Sequence, residues 1–436
     1  MTRWLVPSAA IVATAFVVVA TVRDARQTAA APVAAPATVA LFNEGTSRTQ
    51  LAGTVSAMTS RLQAHPDDGV AVVRLADALL RLQRVNNDAR AVTEAEDRLR
   101  KFLVGHPDHY ESQRMLAGVL LAQHRFGAAV KQANKAQALD PRDAWNYGAQ
   151  GDGYLELGDY PRAFAAFDTM GRIQPGPPAY ARVAYALELQ GDLDGALEYM
   201  QRAADGTSPN DSESQAWHYA QVGELWLQKG RLGDAKREFE RAAATFPQHP
   251  FAHAGLARIK IVEGDLAGAR LMFQTQLAQG PTADIAAIVG DLSAELGDPT
   301  AASQYYAMAE QIERSGWTAG FRQPDRLARF LAERGRNILE AVTLAEEAAT
   351  SRRDIMTLDT LAWSYFRAGR LSDARRASDE ALRLGTRDAR LLYHAAEIVA
   401  ASGDRTAAKV LLDRIPSPAA VADVLVSRGI KALRTR

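Results

Sequence analysis

The sequence of 436 residues contains no cysteine. This absence excludes disulfide bridges, zinc sites built on thiolates, iron–sulfur clusters and a cysteine nucleophile. An excess of charge of one sign is lacking as well, since 51 Lys and Arg residues balance 51 Asp and Glu residues. A chain without net charge is not expected to be a nucleic-acid binder that works by neutralising phosphates.

The composition is otherwise that of an ordinary globular protein. With 47% hydrophobic and 23% charged residues, the chain does not have the signature of a disordered protein. Its composition, rich in Ala and Arg and poor in Lys, is typical of bacterial proteins encoded by GC-rich genes. The length predicts two or three compact domains, unless the chain is built from repeats.

Long uncharged segments are scarce, and the clearest one lies between Arg3 and Arg23. This segment reads WLVPSAAIVATAFVVVATV. One interpretation is a helix just long enough to cross about 30 Å of hydrocarbon. The other is a secretory signal that is cleaved after Ala20. Both predict an exported protein, periplasmic or anchored in the inner membrane, whose only membrane contact is made by residues 1–22.

Two shorter features follow this segment. The Ala- and Pro-rich stretch from Thr28 to Ala40 has too little apolar bulk to be buried, and it predicts a linker over residues 23–45. Apolar residues at helical spacing from Leu51 to Leu62 predict a helix within residues 46–66 that acts as an N-terminal half-repeat.

One regular period organises most of the remaining chain. Prolines at 107, 141, 175 and 209 follow one another at equal steps, and Pro281 follows Pro247 at the same step. The segments 156–175, 228–247 and 262–281 also share a pattern. Each has a Gly, an Ala five residues later, a Phe four residues after that and a Pro eight residues further on.

This pattern resembles the tetratricopeptide repeat, which has characteristic large, small, Gly, Ala, aromatic and Pro positions in a unit of about 34 residues. The unit from Ala144 supplies Tyr147, Gly151, Tyr154, Gly158, Ala163, Phe167 and Pro175. About ten units cover most of residues 65–415 and begin near residues 69, 110, 144, 177, 216, 250, 283, 321, 355 and 389. The resemblance implies an all-α, right-handed superhelical solenoid of helix-turn-helix repeats.

The physical logic of such a unit agrees with the resemblance. Small residues at positions 8 and 20 let the two helices of a hairpin approach closely. A single hairpin has too little core by itself, so neighbouring hairpins must stack. The proline ends the second helix and directs the chain into the next hairpin.

Two segments that break the period are interpreted as surface insertions. They are VNNDARA at 85–91 and the polar ADGTSPNDSESQ at 204–215. Insertions of this kind cost little, because the entropy of loop closure grows slowly with length.

A third irregular segment, 313–326, predicts a joint between a first stack of repeats at 67–312 and a second at 327–415. Trp317 and Phe321 would plug this joint. The tail, 416–436, has apolar residues at helical spacing and predicts a capping helix.

No motif in the chain indicates catalysis. His249 and His253 form an HxxxH pair, but Pro250 intervenes and no glutamate follows the first histidine as in HExxH. The run GAQGDG at 148–153 falls within a helix of a repeat and follows no predicted strand, so it does not predict a phosphate loop. We therefore predict no enzymatic activity, no metal site and no cofactor.

In tetratricopeptide arrays, ligands commonly lie on the concave face lined by the first helix of each repeat, near positions 2, 5, 9 and 12. Position 9 corresponds here to Asp152, Tyr185, Glu224, Arg258, Asp291, Trp363 and Glu397. Position 5 is mostly small and corresponds to Gly148, Ala181, Ala220, Ala254 and Ala287. The resemblance thus predicts a groove with a smooth, mildly acidic middle.

The C-terminal end of this groove is predicted to differ. Asp359, Trp363 and Phe366 share one helix face, and Tyr393 and Glu397 of the next repeat should stack beside them. Trp363 either packs against a neighbouring repeat or exposes a large apolar surface for recognition. The basic clamp that binds two carboxylates in chaperone-tail-binding members has no counterpart here.

These observations predict a non-enzymatic scaffold that binds a protein or peptide on its concave face. Together with the predicted export, they favour a role in assembling an envelope or secretion complex. The alternative is an accessory protein for polysaccharide synthesis or export, because aromatic rings beside carboxylates also suit sugar stacking. Neither interpretation includes nucleic acid as a partner.

Overall fold

The computed structural model of the protein describes residues 48–86, 89–318 and 322–435. In these ranges the chain forms 22 α-helices and one short 3-10 helix, Pro418–Ala420, and no β-strand. The helix α1 (Arg48–Ala64) precedes ten hairpins, each made of a helix A and a helix B. A final helix, α22 (Val424–Thr435), follows them. The all-α repeat solenoid is thereby confirmed.

Eight of the ten hairpins begin at the residue where the sequence pattern places a unit; α10 starts four residues earlier and α16 three residues later. The hairpins, each written as helix A and then helix B, are α2 (Gly69–Asn86) and α3 (Ala89–Gly105), α4 (Tyr110–Ala122) and α5 (Phe126–Leu139), α6 (Ala144–Glu156) and α7 (Tyr160–Ile173), α8 (Pro177–Leu189) and α9 (Leu193–Gly206), α10 (Ser212–Gln228) and α11 (Leu232–Thr245), α12 (Pro250–Glu263) and α13 (Leu266–Gln279), α14 (Ala283–Glu295) and α15 (Pro299–Thr318), α16 (Pro324–Glu333) and α17 (Ile338–Ser351), α18 (Ile355–Arg367) and α19 (Leu371–Ala381), and α20 (Ala389–Ala401) and α21 (Arg405–Asp413).

Close packing within a hairpin depends on the small residue at position 8 of helix A. A Cβ atom at Gly151 would lie 2.3 Å from the ring of Phe167 on helix B. A Cβ at Gly223 of the same hairpin would lie 2.7 Å from the ring of Phe239, and a Cβ at Gly255 of the next hairpin would lie 2.2 Å from it. Because non-bonded carbon atoms normally stay about 3.5–4 Å apart, a larger residue would push the helices away from each other.

The turn between helices A and B combines a glycine with a helix cap. Gly158 has a φ of +80°, a left-handed conformation that glycine adopts without steric cost. The side chain of Asp159 then accepts a hydrogen bond from the backbone N–H of Arg162 at 3.3 Å. Asp265 caps α13 directly after Gly264 in the same manner. The dipeptide Gly-Asp therefore ends one helix and starts the next.

The polar segment 204–215 is only partly a surface insertion. Asp211 caps α10, so residues 212–215 form the first turn of a helix A of 17 residues. Glu213 on this turn is buried. The prediction of a surface insertion is therefore wrong for these four residues, because the cap starts the helix one turn earlier. The other predicted insertion, 85–91, lies partly outside the described residues.

Buried residues from both sides of the irregular segment 313–326 belong to one hydrophobic cluster. α15 is 20 residues long and α16 only 10, yet one cluster of buried residues extends from Leu277 and Ala309 to Leu331 and Ile398. The division into a first stack at 67–312 and a second at 327–415 stays a prediction, although one cluster of buried residues spans the predicted joint. Trp317 packs against the cluster, whereas Phe321 lies outside the described residues.

The array coils back on itself, so that loops far apart in sequence touch. The backbone N–H of Arg353 donates to the carbonyl oxygen of Leu157 at 3.3 Å, and the N–H of Ile355 donates to the hydroxyl of Tyr160 at 2.9 Å. The guanidinium of Arg352 binds the carboxylate of Glu156 at 2.8 Å. We call this region, where residues 352–355 meet the turn between α6 and α7, the inter-turn contact.

Further loops continue the packing of one turn of the coil on the other. A Cβ at Gly191 would lie 2.7 Å from the carbonyl oxygen of Gly385. Arg428 of α22 reaches Glu295 at the end of α14, with 2.6 Å between Nη1 and Oε1. These contacts join the third, fourth and seventh hairpins to the C-terminal part of the chain.

The predicted signal or anchor at 1–22 and the predicted linker at 23–45 lie outside the described residues. Among the helices of the described ranges, none is both long and apolar enough to cross a membrane. At the ends of the array, α1 packs Val55 and Met58 against the first hairpin. α22 buries Val426 and Ile430 against the last one.

Candidate functional site

The helices A line the inner face of the coil, and their acidic residues are bound by arginines of the following hairpin. Arg182 of α8 makes two hydrogen bonds, of 2.8 and 2.6 Å, to the carboxylate of Asp152 on α6. Arg258 of α12 binds Glu224 of α10. The predicted acidic character of the middle groove is therefore largely neutralised, because these residues pair with one another between hairpins.

Asp291 is buried instead of lining an open surface. Its carboxylate accepts hydrogen bonds from Arg334 at 3.0 and 2.5 Å and from the hydroxyl of Tyr306 at 2.9 Å. Burial raises the pKa of Asp291 to about 6, although the Arg334 guanidinium opposes this shift. With 5% of its surface exposed, Asp291 has no free carboxylate to offer a partner.

Most of the small residues at position 5 do not form the floor of a groove. Ala220, Ala254 and Ala287 are all less than a tenth exposed, and Gly148 is covered by Met170 and Arg182. Ala181, the position-5 residue of α8, is half-buried. The expected smooth floor is thus wrong for the other four residues, because they are buried.

The accessible part of the inner face lies on α8, α10 and α12. Tyr185, at position 9 of α8, is 38% exposed, and Phe251, at position 2 of α12, is 49% exposed. Between them, Trp217 at position 2 of α10 is half-buried. Burial and the carboxylates of Glu156 and Glu188 hold the pKa of the Tyr185 hydroxyl well above its usual range. The ring is therefore accessible to solvent and yet lies deep in the coil.

Glu188 differs from the other inner carboxylates because its partner is neutral. The side-chain amide of Gln228 donates to its Oε1 at 2.6 Å, and no described cationic group forms an ion pair with it. Burial raises the pKa of Glu188 to about 7, and the nearby Asp388 and Glu224 contribute to the shift. We call Tyr185, Glu188, Trp217 and Phe251 the inner patch.

We expect Glu156 and Glu188 to lower the free energy of unfolding as the pH rises through about 7, above the range in which the low pKa values of the buried His124 and His218, about 4, act in the opposite direction. Burial raises the native-state pKa of Glu156 and Glu188 from 4.5 to about 7. Between these values the native state binds more protons than the unfolded state, so deprotonation favours unfolding. Thermal unfolding at several pH values should show a shallower decline for Glu188→Gln than for the wild type. Equal slopes of stability against pH in the two proteins would contradict the raised pKa of Glu188.

The C-terminal aromatic cluster is assembled as predicted but is buried. Trp363 stacks on His394 with 4.0 Å between ring centroids, and it also stacks on Phe366 at 5.0 Å. Only 6% of Trp363 is exposed. Of the two alternatives for this residue, the structure selects packing against the neighbouring repeat, and the ring offers no face to a sugar or a peptide.

The other residues of this cluster are also engaged within the protein. Both oxygens of the buried Asp359 lie within 3.1 Å of the Nδ1 of His394. Tyr393 is covered by the terminal helix, because its ring occupies the space that a Cβ at Gly429 would need. Glu397 is 9% exposed. The prediction that these residues line an open groove is corrected accordingly, since α22 packs over this end of the array.

The residues considered for chemistry hold structural positions. His249 is 2% exposed, and the Nε2 of His253 lies 2.6 Å from the carbonyl oxygen of Pro247. The run 148–153 lies within α6. Within the described ranges, no group of three or more His, Asp or Glu side chains is arranged to hold a metal ion.

Sequence reasoning missed the partners of the predicted residues. A usable signal existed for one pair, because Arg258 follows Glu224 by one repeat period and thus occupies the same place in the next repeat. For Asp152 the partner is Arg182, which stands at another position of the next helix A. For Glu188 the partner is the amide of Gln228 instead of an arginine, and the repeat pattern does not predict this partner.

The protein is thus a helical-repeat solenoid with a partly open inner face. Family models described as tetratricopeptide repeat match residues 88–144, 149–212 and 360–416, and in one further region residues 227–292. These regions make up more than half of the chain, which therefore belongs to the tetratricopeptide repeat family. Repeats of this family generally mediate protein–protein interactions and are generally non-catalytic.

Individual proteins with a similar chain or fold were also found. Human tetratricopeptide repeat protein 36 is 38% identical over 95 residues, which are 22% of this chain and 50% of that protein. The chain thus spans half the length of this relative. The crystal structure of PilW, a widely conserved type IV pilus biogenesis factor, is 21% identical, with a TM-score of 0.40 over 46% of this chain and 92% of PilW. The human IFIT1 dimer with m7Gppp-AAAA is 16% identical, with a TM-score of 0.48 over 77% of this chain and 78% of IFIT1.

Proposed function

We propose that this protein is a non-enzymatic scaffold that holds a segment of another protein on the inner face of α8, α10 and α12. The observation that carries the proposal is the inner patch, where two large aromatic rings remain exposed. Among the described residues, Tyr185 and Phe251 are the two large aromatic side chains that are exposed, and aromatic side chains dominate the energetics of protein interfaces. Membership of a family that mediates protein contacts supports the same conclusion.

The shape of the site favours an extended segment as the ligand. Helices A of successive hairpins run side by side, and packed helices lie about 10 Å apart. An extended chain advances about 3.3 Å per residue. A segment that crosses α8, α10 and α12 would therefore present about seven residues to the inner patch, which is enough to place one side chain on each aromatic ring.

The biological setting that we propose is the assembly of an envelope or secretion complex in a bacterium. This part of the proposal is supported by the uncharged segment between Arg3 and Arg23, which predicts export or anchoring. The scaffold would then act in the periplasm or at the inner membrane, with its N-terminal segment as the only membrane contact.

A comparison of full-length baits in extract of the source cells tests the proposal. One bait carries Tyr185→Ala and Phe251→Ala on the inner patch. The matched bait carries Leu271→Ala and Leu339→Ala, which replace two exposed apolar residues on helices B. A protein that the wild type and the second bait retain, and that the first bait loses, is the expected result. Equal retention by both variants would contradict the proposed site, provided that circular dichroism shows both to be folded.

A further inference from the structure

Glu188, a carboxylate of the inner face, lacks among the described residues an arginine like those that bind Asp152 and Asp291. Arginines of the following hairpin bind Asp152 and Asp291. At Glu188 the following hairpin supplies only the neutral amide of Gln228, at 2.6 Å. No cationic group of the described residues forms an ion pair with this carboxylate. Within the described residues, Glu188 therefore has a neutral partner where Asp152 and Asp291 have an arginine.

The surroundings make this charge costly in the absence of a ligand. Glu188 is half-buried, and the carboxylates of Glu224 and Asp388 add negative potential of the same sign. Burying a carboxylate without an opposite charge is unfavourable. A cation on the ligand would remove this penalty. The site therefore favours a cationic group of the ligand over a neutral or acidic one.

The neighbouring ring suits a cationic side chain as well. Tyr185 precedes Glu188 by three residues, so both side chains lie on the same face of α8. The ring is 38% exposed and can pack against the aliphatic stem of a lysine or arginine, or attract its charge through the aromatic face. An aromatic surface next to an unpaired carboxylate is complementary to a long basic side chain.

We infer that the segment held on the inner face carries a lysine or arginine whose side chain extends over the Tyr185 ring and pairs with Glu188. The inference rests on the proposed function, because it names the chemistry of the segment that occupies the inner patch. The occupant is an extended, basic segment of another protein. A site of this kind rejects acidic segments, since a carboxylate beside Glu188 would be repelled.

The first part of the test is a selection of random 12-residue peptides, displayed on phage, on the purified full-length protein. Lysine or arginine should be enriched in the recovered peptides. The same selection on Glu188→Gln should lose this enrichment. The control is Glu240→Gln, which makes the same change at an exposed residue of α11 and should recover the same peptides as the wild type.

The second part is a double-mutant cycle with one recovered peptide. Replacing its basic residue by norleucine should weaken binding about tenfold, and Glu188→Gln should weaken binding of the original peptide by a similar factor. Combining both changes should weaken binding little more than either change alone, because both remove the same ion pair. If the affinity loss of the combined change equals the product of the two single losses, the basic residue binds elsewhere. This result would overturn the inference.

The outcomes separate this inference from the proposed function. Peptides recovered without enrichment of basic residues would overturn the inference and leave peptide binding intact. Enrichment that persists in Glu188→Gln would also overturn it. If the wild type recovers no peptides above the level of an empty support, the proposed function fails and the inference fails with it.

Discussion

Replacing Phe239 by alanine is expected to cost about 3–5 kcal/mol of stability, the range observed when a fully buried aromatic ring is removed. The ring has no exposed surface and lies against Gly223 and Gly255, so it fills the space between the fifth and sixth hairpins. A cavity at this place weakens both hairpins and their interface. Amide hydrogen exchange in α10, α11 and α12 should accelerate more than elsewhere.

The matched control for this change is Phe251→Ala. It removes the same ring from a residue that is 49% exposed, so the cost should stay within about 1 kcal/mol. Similar destabilisation by both variants would contradict the assignment of Phe239 as the residue that joins two repeats. It would also remove the distinction between the packing rings and the exposed rings of the inner patch.

Replacing Gly158 by valine is expected to open the inter-turn contact. The added Cβ would lie 2.3 Å from the carbonyl oxygen of Arg353, and valine is strained at the φ of +80°. The hydrogen bonds donated by the N–H groups of Arg353 and Ile355 should break, at about 1 kcal/mol each. Because both amides are exposed when the contact opens, the combined loss of about 2 kcal/mol should accelerate hydrogen exchange at each of them about 30-fold. Small-angle X-ray scattering should show a larger radius of gyration.

Gly264→Val separates this effect from backbone strain. Gly264 occupies the equivalent turn of the sixth hairpin with a φ of +87°, and no atom lies within 4 Å of the position of its added Cβ. This variant should be strained by a similar amount, about 1–2 kcal/mol, and should leave the radius of gyration unchanged. Equal expansion in both variants would contradict a specific role of the inter-turn contact.

The repeats were predictable from the sequence because their determinants are local. A glycine of helix A that faces a phenylalanine of helix B, as in Gly151 and Phe167, sets the packing of a hairpin. The Gly-Asp turn sets its ends. Such pairs recur at one period, and each occurrence supports the others. The only displaced starts are α10 and α16, where a capping Asp211 and the proline Pro324 override the period.

The inter-turn contact and the burial of the C-terminal cluster could not be predicted in this way. Residues 157 and 353 meet only because small rotations between successive repeats accumulate over six hairpins, and no single unit encodes that sum. Trp363 occupies a position that is often exposed in a groove, but His394 stacks on it and α22 covers the neighbouring Tyr393. The accessible site therefore lies on α8, α10 and α12, where the sequence singled out Tyr185, Glu224 and Arg258 beside the small residues at position 5.

The central claim is that the inner face of α8, α10 and α12 holds a segment of a partner. The most direct measurement is photo-crosslinking in the source cells, with benzoylphenylalanine in place of Phe251 on the inner face or Leu271 on helix B of the same hairpin. The account predicts a crosslinked partner from position 251 and none from position 271. A partner crosslinked at position 271 and not at position 251 would contradict it.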